Sequence, residues 1–251
     1  MVKMLIAAGA ISLATMLGAC IGLLIHKVSH KWNDIMMGLA AGVMLASAIL
    51  GLILPATETV GGAGFWKIVL GILAGAYMLT VIDKFTPHLH RLTGVEIEKH
   101  EHNAKLDKII LFLLAIAIHN FPEGIATGVG FGGNPENLDK AWLVTFSIAL
   151  QNIPEGLILI APLRMVGVSK GRAFLLATST AVIEVIGTFT GYLAGNISQA
   201  MLPVLLALAG GAMLYVISDE MIPETHGHGH EKLATYSLLI GFIIVLFFDV
   251  M

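Results

Sequence analysis

The sequence predicts an all-α polytopic membrane protein with eight transmembrane helices. Of its 251 residues, 57% are hydrophobic and only 12% are charged, a composition unlike that of a soluble domain. Apolar runs of about 20 residues are long enough to cross a hydrocarbon core of about 30 Å. The runs are Lys3–Ile25, Asp34–Pro55, Phe65–Val81, Lys108–Val129, Lys140–Leu163, Gly171–Leu193, Ser198–Ile217 and Ala234–Val250. We therefore expect one transmembrane domain over residues 1–251, embedded in the lipid bilayer of the cell (inner) membrane.

The first run is predicted to be a permanent span. Only Lys3 precedes it, which resembles a signal peptide, but the apolar region is too long and no small-residue cleavage site leads into a soluble chain. Cys20, the only cysteine, lies within this run. The sequence therefore excludes a disulfide framework and a thiolate metal site, and Cys20 is interpreted as a small core residue.

The distribution of Lys and Arg predicts the orientation of the chain. Eleven of the 14 basic residues fall in the loops after spans 1, 3, 5 and 7. Because cytoplasmic loops are enriched in Lys and Arg, these loops are expected in the cytoplasm and both termini outside it. No basic tract indicates nucleic-acid binding.

Spans 2, 3 and 6 carry glycines at four-residue spacing, which lets helix backbones approach closely. The stripes are Gly38/Gly42, Gly71/Gly75 and Gly187/Gly191/Gly195. Static packing is the simpler interpretation. The functional alternative is a smooth face along which one group of helices slides past another.

Two loops on the predicted cytoplasmic side are rich in histidine. The loop between spans 3 and 4, residues 84–107, holds His88, His90, His100 and His102, and the loop before span 8 holds His226, His228 and His230. Such tracts bind borderline metals weakly, or are solvated loops that merely contain histidine. Neither can be a transport site, because a loop lies outside the membrane barrier.

The fourth and fifth spans each carry a polar motif near mid-membrane depth. The first reads HNFPEG from His119 and the second reads QNIPEG from Gln151, 32 positions later. Residues three or four apart share a helix face. Two crossing helices would therefore surround one small volume with His119, Asn120, Glu123, Gln151, Asn152 and Glu155. Pro122 and Pro154 each remove a backbone N–H, so helices 4 and 5 are predicted to be broken.

Glu184, in the middle of span 6, is a third carboxylate at membrane depth. Each ionised group there costs roughly 3 kcal/mol or more. No Lys or Arg lies at mid-depth in any predicted span to offset that cost. The glutamates are therefore neutral and hydrogen-bonded to amides, or they bind a metal ion. The doubled motif favours the metal. One imidazole with carboxylate and amide oxygens suits Zn²⁺, and also Fe²⁺, Mn²⁺, Co²⁺ or Cd²⁺.

These features together resemble the ZIP family of divalent metal transporters. The resemblance rests on the two N-x-P-E-G motifs in consecutive spans, the eight spans and the His-bearing loop between spans 3 and 4. Residues 150–156, 161–164 and 218–226 further resemble the bacterial GufA-like subgroup. The likeness covers essentially the whole chain.

The resemblance implies two adjoining metal sites. The transport site would fall on His119, Glu123, Gln151 and Glu155, with Met44 of span 2 as a soft neighbour. The second would fall on Asn120, Glu123, Asn152, Glu155 and Glu184, with glutamates bridging two ions. Relatives often have Asp where this chain has Asn152, so the second site is expected to be weaker or differently tuned. The family also implies that Asp219, Glu220 and the nearby histidines lie on the cytoplasmic release side.

We therefore expect a transporter that moves zinc, and also cadmium, iron or manganese, into the cytoplasm by alternating access. Direction comes from the resemblance. A channel-like metal pore or an exporter is an alternative. An intramembrane metalloenzyme is disfavoured, because span 5 supplies no His and a proline interrupts the motif. The sequence does not specify an oligomeric state, and a homodimer is kept as a hypothesis.

Overall fold

The computed structural model describes residues 1–25, 29–85, 120–132, 138–165, 167–197 and 200–251, and these parts are helical apart from short connections. The helices are α1 (Val2–Leu24), α2 (His30–Ala46), α3 (Leu54–Phe85), α4 (120–132), α5 (Leu138–Met165), α6 (Lys170–Ile197), α7 (Leu202–Val216), α8 (Ile222–Thr225) and α9 (Glu231–Val250). Two π-helical segments, Ser47–Ile53 and Ile217–Met221, continue α2 and α7. The predicted all-α class is confirmed for the described residues.

Six stretches of the described chain are long and apolar enough to cross a membrane. They are Val2–Leu24, His30–Val81, Leu138–Ile160, Lys170–Asn196, Leu202–Thr225 and Glu231–Val250. Most of the predicted fourth span and of the 84–107 histidine loop lies outside the described residues. The total of eight spans therefore stays a prediction.

The long stretch His30–Val81 is a hairpin of two helices that contains predicted spans 2 and 3. Ile53 and Ile72 pack against the neighbouring residues Gly210 and Gly211 of α7. One straight helix would hold residues 19 positions apart at a separation of about 28 Å. The chain reverses at Gly61, whose φ of 60° and ψ of −177° are not helical and favour glycine.

Close glycine contacts join the helices in four pairs, and further contacts combine these pairs into two groups. Hydrogen bonds from α5 amides to Glu123 and Glu184 link two of the pairs, and Gly210 of α7, which packs on the segment after α2, links the other two. In the first, α6 crosses α4 at Gly124 and Gly128, and α1 crosses α5 at Gly18 and Gly156; we call α1, α4, α5 and α6 the site bundle.

The second group of helices is α2, α3, α7 and α9, which we call the frame bundle. Gly38 and Gly42 of α2 meet the backbone of α9, and Gly71 and Gly75 of α3 meet α7. At each position an added Cβ would strike a neighbouring helix, mostly its backbone. The stripes therefore pack helices within a bundle, which supports the static interpretation.

Both chain termini lie at one face of the structure. Helices α1 and α5 run parallel, because Thr15 lies at Gly156 and Gly22 at Ile160. The start of α5 is joined to the end of α9 by an ion pair between Lys140 and Asp249. The start of α1 and the end of α9 are therefore on the same side of the bundle, as an even number of spans requires.

The prediction that the fifth helix is broken at its proline is wrong. Helix α5 continues through Pro154 from Leu138 to Met165. A proline removes one intrahelical hydrogen bond, and a helix packed on several sides accommodates that loss by bending rather than by leaving the helical conformation. Pro122 lies inside α4, and any break before residue 120 falls outside the described residues.

Candidate metal centre

The described site residues converge in the interior of the site bundle. Helix α4 carries Asn120 and Glu123, α5 carries Gln151, Asn152 and Glu155, and α6 carries Glu184. Glu123, Gln151 and Glu184 are fully buried, Asn120 and Asn152 nearly so, and Glu155 is half-buried. His119 lies outside the described residues. The structure therefore brings together six of the eight residues predicted to bind metal.

Two neighbouring amides of α5 each hold one buried glutamate. Gln151 Nε2 donates a hydrogen bond to Glu123 Oε1 at 2.7 Å, and Asn152 Nδ2 donates one to Glu184 Oε1 at 2.6 Å. Gln151 and Asn152 are adjacent in α5. Their amides therefore hold the carboxylate from α4 and the carboxylate from α6 next to each other. Hydrogen bonds to a charged acceptor are among the stronger ones in proteins.

The three glutamates interact with one another. Glu123 and Glu184 lie close enough for each to affect the other's carboxyl group, and Glu155 is near enough to act electrostatically on both. In the described part of the chain, the Glu123 and Glu184 side chains accept hydrogen bonds from two amides and one hydroxyl. Like charges this close repel one another in a low-dielectric interior, so a cation between them would be stabilising.

Several oxygen atoms in the centre have no hydrogen-bond partner among the described residues. They are Asn120 Oδ1, Glu123 Oε2, Gln151 Oε1 and Asn152 Oδ1. A buried polar atom without a hydrogen-bond partner lowers the free energy of unfolding by about 1–3 kcal/mol. All four are oxygens of carboxylate or amide groups, which are good ligands for a divalent cation. The donor set therefore fits a metal cargo.

Helix α1 contributes to the centre, which the sequence did not predict. Thr15 Oγ1 lies 3.4 Å from Glu184 Oε2, and the Ile11 carbonyl oxygen lies 3.3 Å from Asn152 Nδ2. A lone threonine in an apolar span looks like an ordinary helix residue. The available signal was the Gly18/Gly22 pair, which indicates that another helix backbone approaches α1 closely just after Thr15.

The glycine of each N-x-P-E-G motif is where another helix crosses. A Cβ at Gly124 would meet the carbonyl oxygen of Glu184, and a Cβ at Gly156 would meet that of Thr15. The absence of a side chain therefore lets α6 approach α4, and α1 approach α5, one residue after each motif glutamate. This close approach places Glu184 and Thr15 beside the α5 amides.

Met44 lies in the frame bundle, whereas the other described site residues lie in the site bundle. It is fully buried in α2 and packs in the same apolar cluster as Ile148 of α5. Within the described parts of the chain, no group of three or more His, Cys, Asp and Glu side chains is arranged to hold an ion by itself. The described donors are instead a mixture of carboxylates and amides.

The acidic pair predicted for the release side lies at the end of the frame bundle. Asp219 is exposed and Glu220 is half-buried in the π-helical segment after α7. His226 is exposed, and its Nδ1 lies 2.8 Å from the Ile222 carbonyl oxygen. The histidines of the 84–107 loop lie outside the described residues.

Comparison with known proteins gives matches over most of the chain. Residues 95–249 match the family model described as ZIP Zinc transporter. The chain is 40% identical to Zinc transporter GufA of Myxococcus xanthus over 94% of its own length and 93% of that protein. It is 38% identical to Zinc transporter ZIPB of Bordetella bronchiseptica, covering 94% of the chain and 77% of that protein. It is also 28% identical to Zinc transporter ZIP11 of Homo sapiens, covering 94% of the chain and 93% of that protein.

Proposed function

The chain belongs to the ZIP zinc transporter family, and on that premise we propose that it carries Zn²⁺ into the cytoplasm through the carboxylate–amide centre of the site bundle. It is a multi-pass membrane transporter and not an enzyme. The same oxygen and imidazole chemistry extends the proposal to Cd²⁺, Fe²⁺ and Mn²⁺.

One observation carries the assignment of the site. Glu123 and Glu184 are fully buried, each is held through one oxygen by an α5 amide, and oxygens of the set remain without a hydrogen-bond partner among the described residues. A purely structural network would use these oxygens, since unsatisfied buried acceptors are costly. A divalent ion uses them directly. His119, one residue before Asn120, would add the imidazole that favours zinc.

The centre has enough donor groups to bind two ions. Glu123, Gln151 and Glu155 with His119 form one donor set, and Asn120, Asn152 and Glu184 form an adjoining one. Glu123 and Glu155 would bridge the two ions. Asn152 is neutral and already donates to Glu184, so the second position is the weaker one.

Transport requires the centre to open to one side of the membrane at a time. All proposed ligands except Met44 belong to the site bundle, whereas Met44 belongs to the frame bundle. Backbone-to-backbone glycine contacts join helices in pairs within each bundle. We therefore infer that the site bundle moves as a body against the frame bundle and carries the ion with it. The excess of Lys and Arg in the odd-numbered loops assigns the delivery side to the cytoplasm.

Uptake into proteoliposomes loaded with a zinc indicator tests the proposal. The Glu123→Gln variant keeps the size of the side chain but removes its charge, so zinc uptake should fall to the level of protein-free liposomes. Glu231→Gln, at the start of α9 and away from the centre, is the matched control and should transport normally. Normal uptake by the Glu123→Gln variant would contradict the site.

The same assay separates the carrier from the alternatives. A carrier saturates at low metal concentration, whereas a channel-like pore gives flux that keeps rising with the gradient. An exporter would show transport only in vesicles of the opposite orientation. The predicted homodimer is tested separately, by light scattering from the purified chain in detergent.

A further inference from the structure

A second cluster of metal-binding side chains lies at the start of α2, away from the intramembrane centre. His30 is the first residue of α2, and His228 lies in the connection between α8 and α9. Their imidazole rings stack with centroids 4.5 Å apart and an interplanar angle of 23°. Two histidines from distant parts of the sequence therefore stand side by side at the surface.

A buried carboxylate lies behind this pair. Asp34, one helical turn after His30, is fully buried, and its Oδ1 lies 3.0 Å from His228 Nδ1. An ionised Asp34 only accepts hydrogen bonds, so a neutral His228 imidazole that bonds to it carries its single proton on Nδ1. The other ring nitrogen, Nε2, then keeps its lone pair in a fixed orientation.

This arrangement is the one that proteins use to prepare a histidine for a metal. A ligating imidazole usually donates its second N–H to a carboxylate, which fixes the tautomer and raises the basicity of the ligand. Asp34 Oδ2 has no hydrogen-bond partner among the described residues, so the carboxylate is not committed to another group. A fully buried aspartate at this position is otherwise costly.

We propose that His30 and His228 bind a borderline divalent ion such as Zn²⁺, Co²⁺ or Ni²⁺, with Asp34 orienting His228. The described chain holds no triad of His, Cys, Asp and Glu arranged as ligands, so water completes the coordination and the site exchanges its ion readily. The site lies where α2 and α9 both begin, on the face opposite to the chain termini. It would hold an ion at the side of the membrane to which the proposed transport delivers it.

Trp32 provides a local probe for this site. It lies between His30 and Asp34 on α2 and is exposed, and the chain has only two other tryptophans. In the full-length chain with Trp66→Phe and Trp142→Phe, Trp32 is the only indole. Bound Co²⁺ quenches nearby indole fluorescence, so a cobalt titration of the purified protein should give a saturable loss of signal.

Substitutions distinguish a site from a packing contact. His30→Ala and His228→Ala should each abolish the saturable phase, and Asp34→Asn should weaken the apparent affinity about tenfold or more. His230→Ala, two residues along the same loop, is the matched control and should titrate like the parent. His228→Gln keeps the loop polar and should also lose the saturable phase.

An unchanged titration in both His30→Ala and His228→Ala would overturn the proposal, as would quenching that never saturates. The outcome is independent of the intramembrane centre, because Glu123→Gln should leave the cobalt titration of Trp32 unchanged. Failure of this surface site and failure of the proposed transport function are therefore seen in different measurements.

Discussion

A disulfide between the two bundles should stop transport reversibly. The structure offers one position where α5 of the site bundle meets the π-helical segment after α2 of the frame bundle. A Cβ built on Gly51 lies 3.7 Å from Val144 Cβ. Disulfides have Cβ–Cβ separations of about 3.5–4.5 Å, so the separation in the double variant Gly51→Cys/Val144→Cys lies within the range of a disulfide. Replacing Val144 also removes the methyl group that a Gly51 side chain would strike.

The bond limits relative motion of the bundles to a small distance. Disulfides tolerate Cα–Cα separations of about 4.4–6.8 Å, so a shift of more than about 2 Å is incompatible with the bond. Alternating access by one bundle moving against the other needs a larger shift than that. Zinc uptake by the oxidised variant should therefore fall to the background of empty liposomes.

The assay is metal uptake into proteoliposomes before and after oxidation, in a chain whose only native cysteine is replaced by Cys20→Ala. Reduction of the same sample should restore uptake, and the two single-cysteine variants should be insensitive to oxidant. Full uptake by a chain whose crosslink is proven by mass spectrometry would refute the inference that the bundles move against each other.

Three further substitutions test the centre and its packing. Asn152→Asp adds a negative charge beside Glu184, so calorimetric titration should show tighter binding of a second zinc ion; equal or weaker binding would contradict the two-ion arrangement. Thr15→Val removes a hydroxyl from Glu184 and should lower both zinc uptake and stability, the latter by about 1 kcal/mol, whereas Thr15→Ser should restore both. Gly75→Ala should destabilise the fold by about 1–3 kcal/mol, because its Cβ would strike the α7 backbone. Gly9→Ala faces open space and serves as its control in thermal unfolding, where equal melting temperatures would contradict the packing.

Much of the helical architecture was predictable because the membrane imposes it. Apolar runs of the length of the hydrocarbon core have only one way to satisfy their backbone in lipid, and that is a helix. Hydropathy does not mark where a connection becomes a turn inside one helical stretch. The predicted spans therefore leave a loop between Pro55 and Phe65, whereas the chain is helical on both sides of a single non-helical glycine, Gly61.

The sequence predicted that the described candidate residues share helix faces, but it predicted their arrangement only in part. Helical spacing put Asn120 and Glu123 on one face of α4, and Gln151 and Asn152 on α5. The pairing of each amide with one glutamate depends on how three helices cross, which spacing within one helix does not encode. The same reason explains why the contribution of Thr15 from α1 was missed.

The predicted break at Pro154 was wrong because proline has only a local effect on a helix, whereas packing stabilises the helix through contacts with several neighbours. The lost N–H removes one hydrogen bond, whereas α5 is held by contacts with α1, α2 and α6 along its length. The two π-helical segments, Ser47–Ile53 and Ile217–Met221, instead lie just before Pro55 and Pro223. A proline removes the hydrogen bond to the carbonyl four residues earlier, and those carbonyls belong to Gly51 and Asp219, inside the two segments.

The binding of a divalent ion between α4 and α5 is the claim on which the transport account depends. Anomalous diffraction from crystals of the chain soaked in Cd²⁺ measures it directly. The account predicts a peak in contact with the oxygens of Glu123 and Gln151, lost in the Glu123→Gln variant. A centre without a peak at saturating cadmium and zinc, in crystals that diffract well enough to show the side chains, would contradict it.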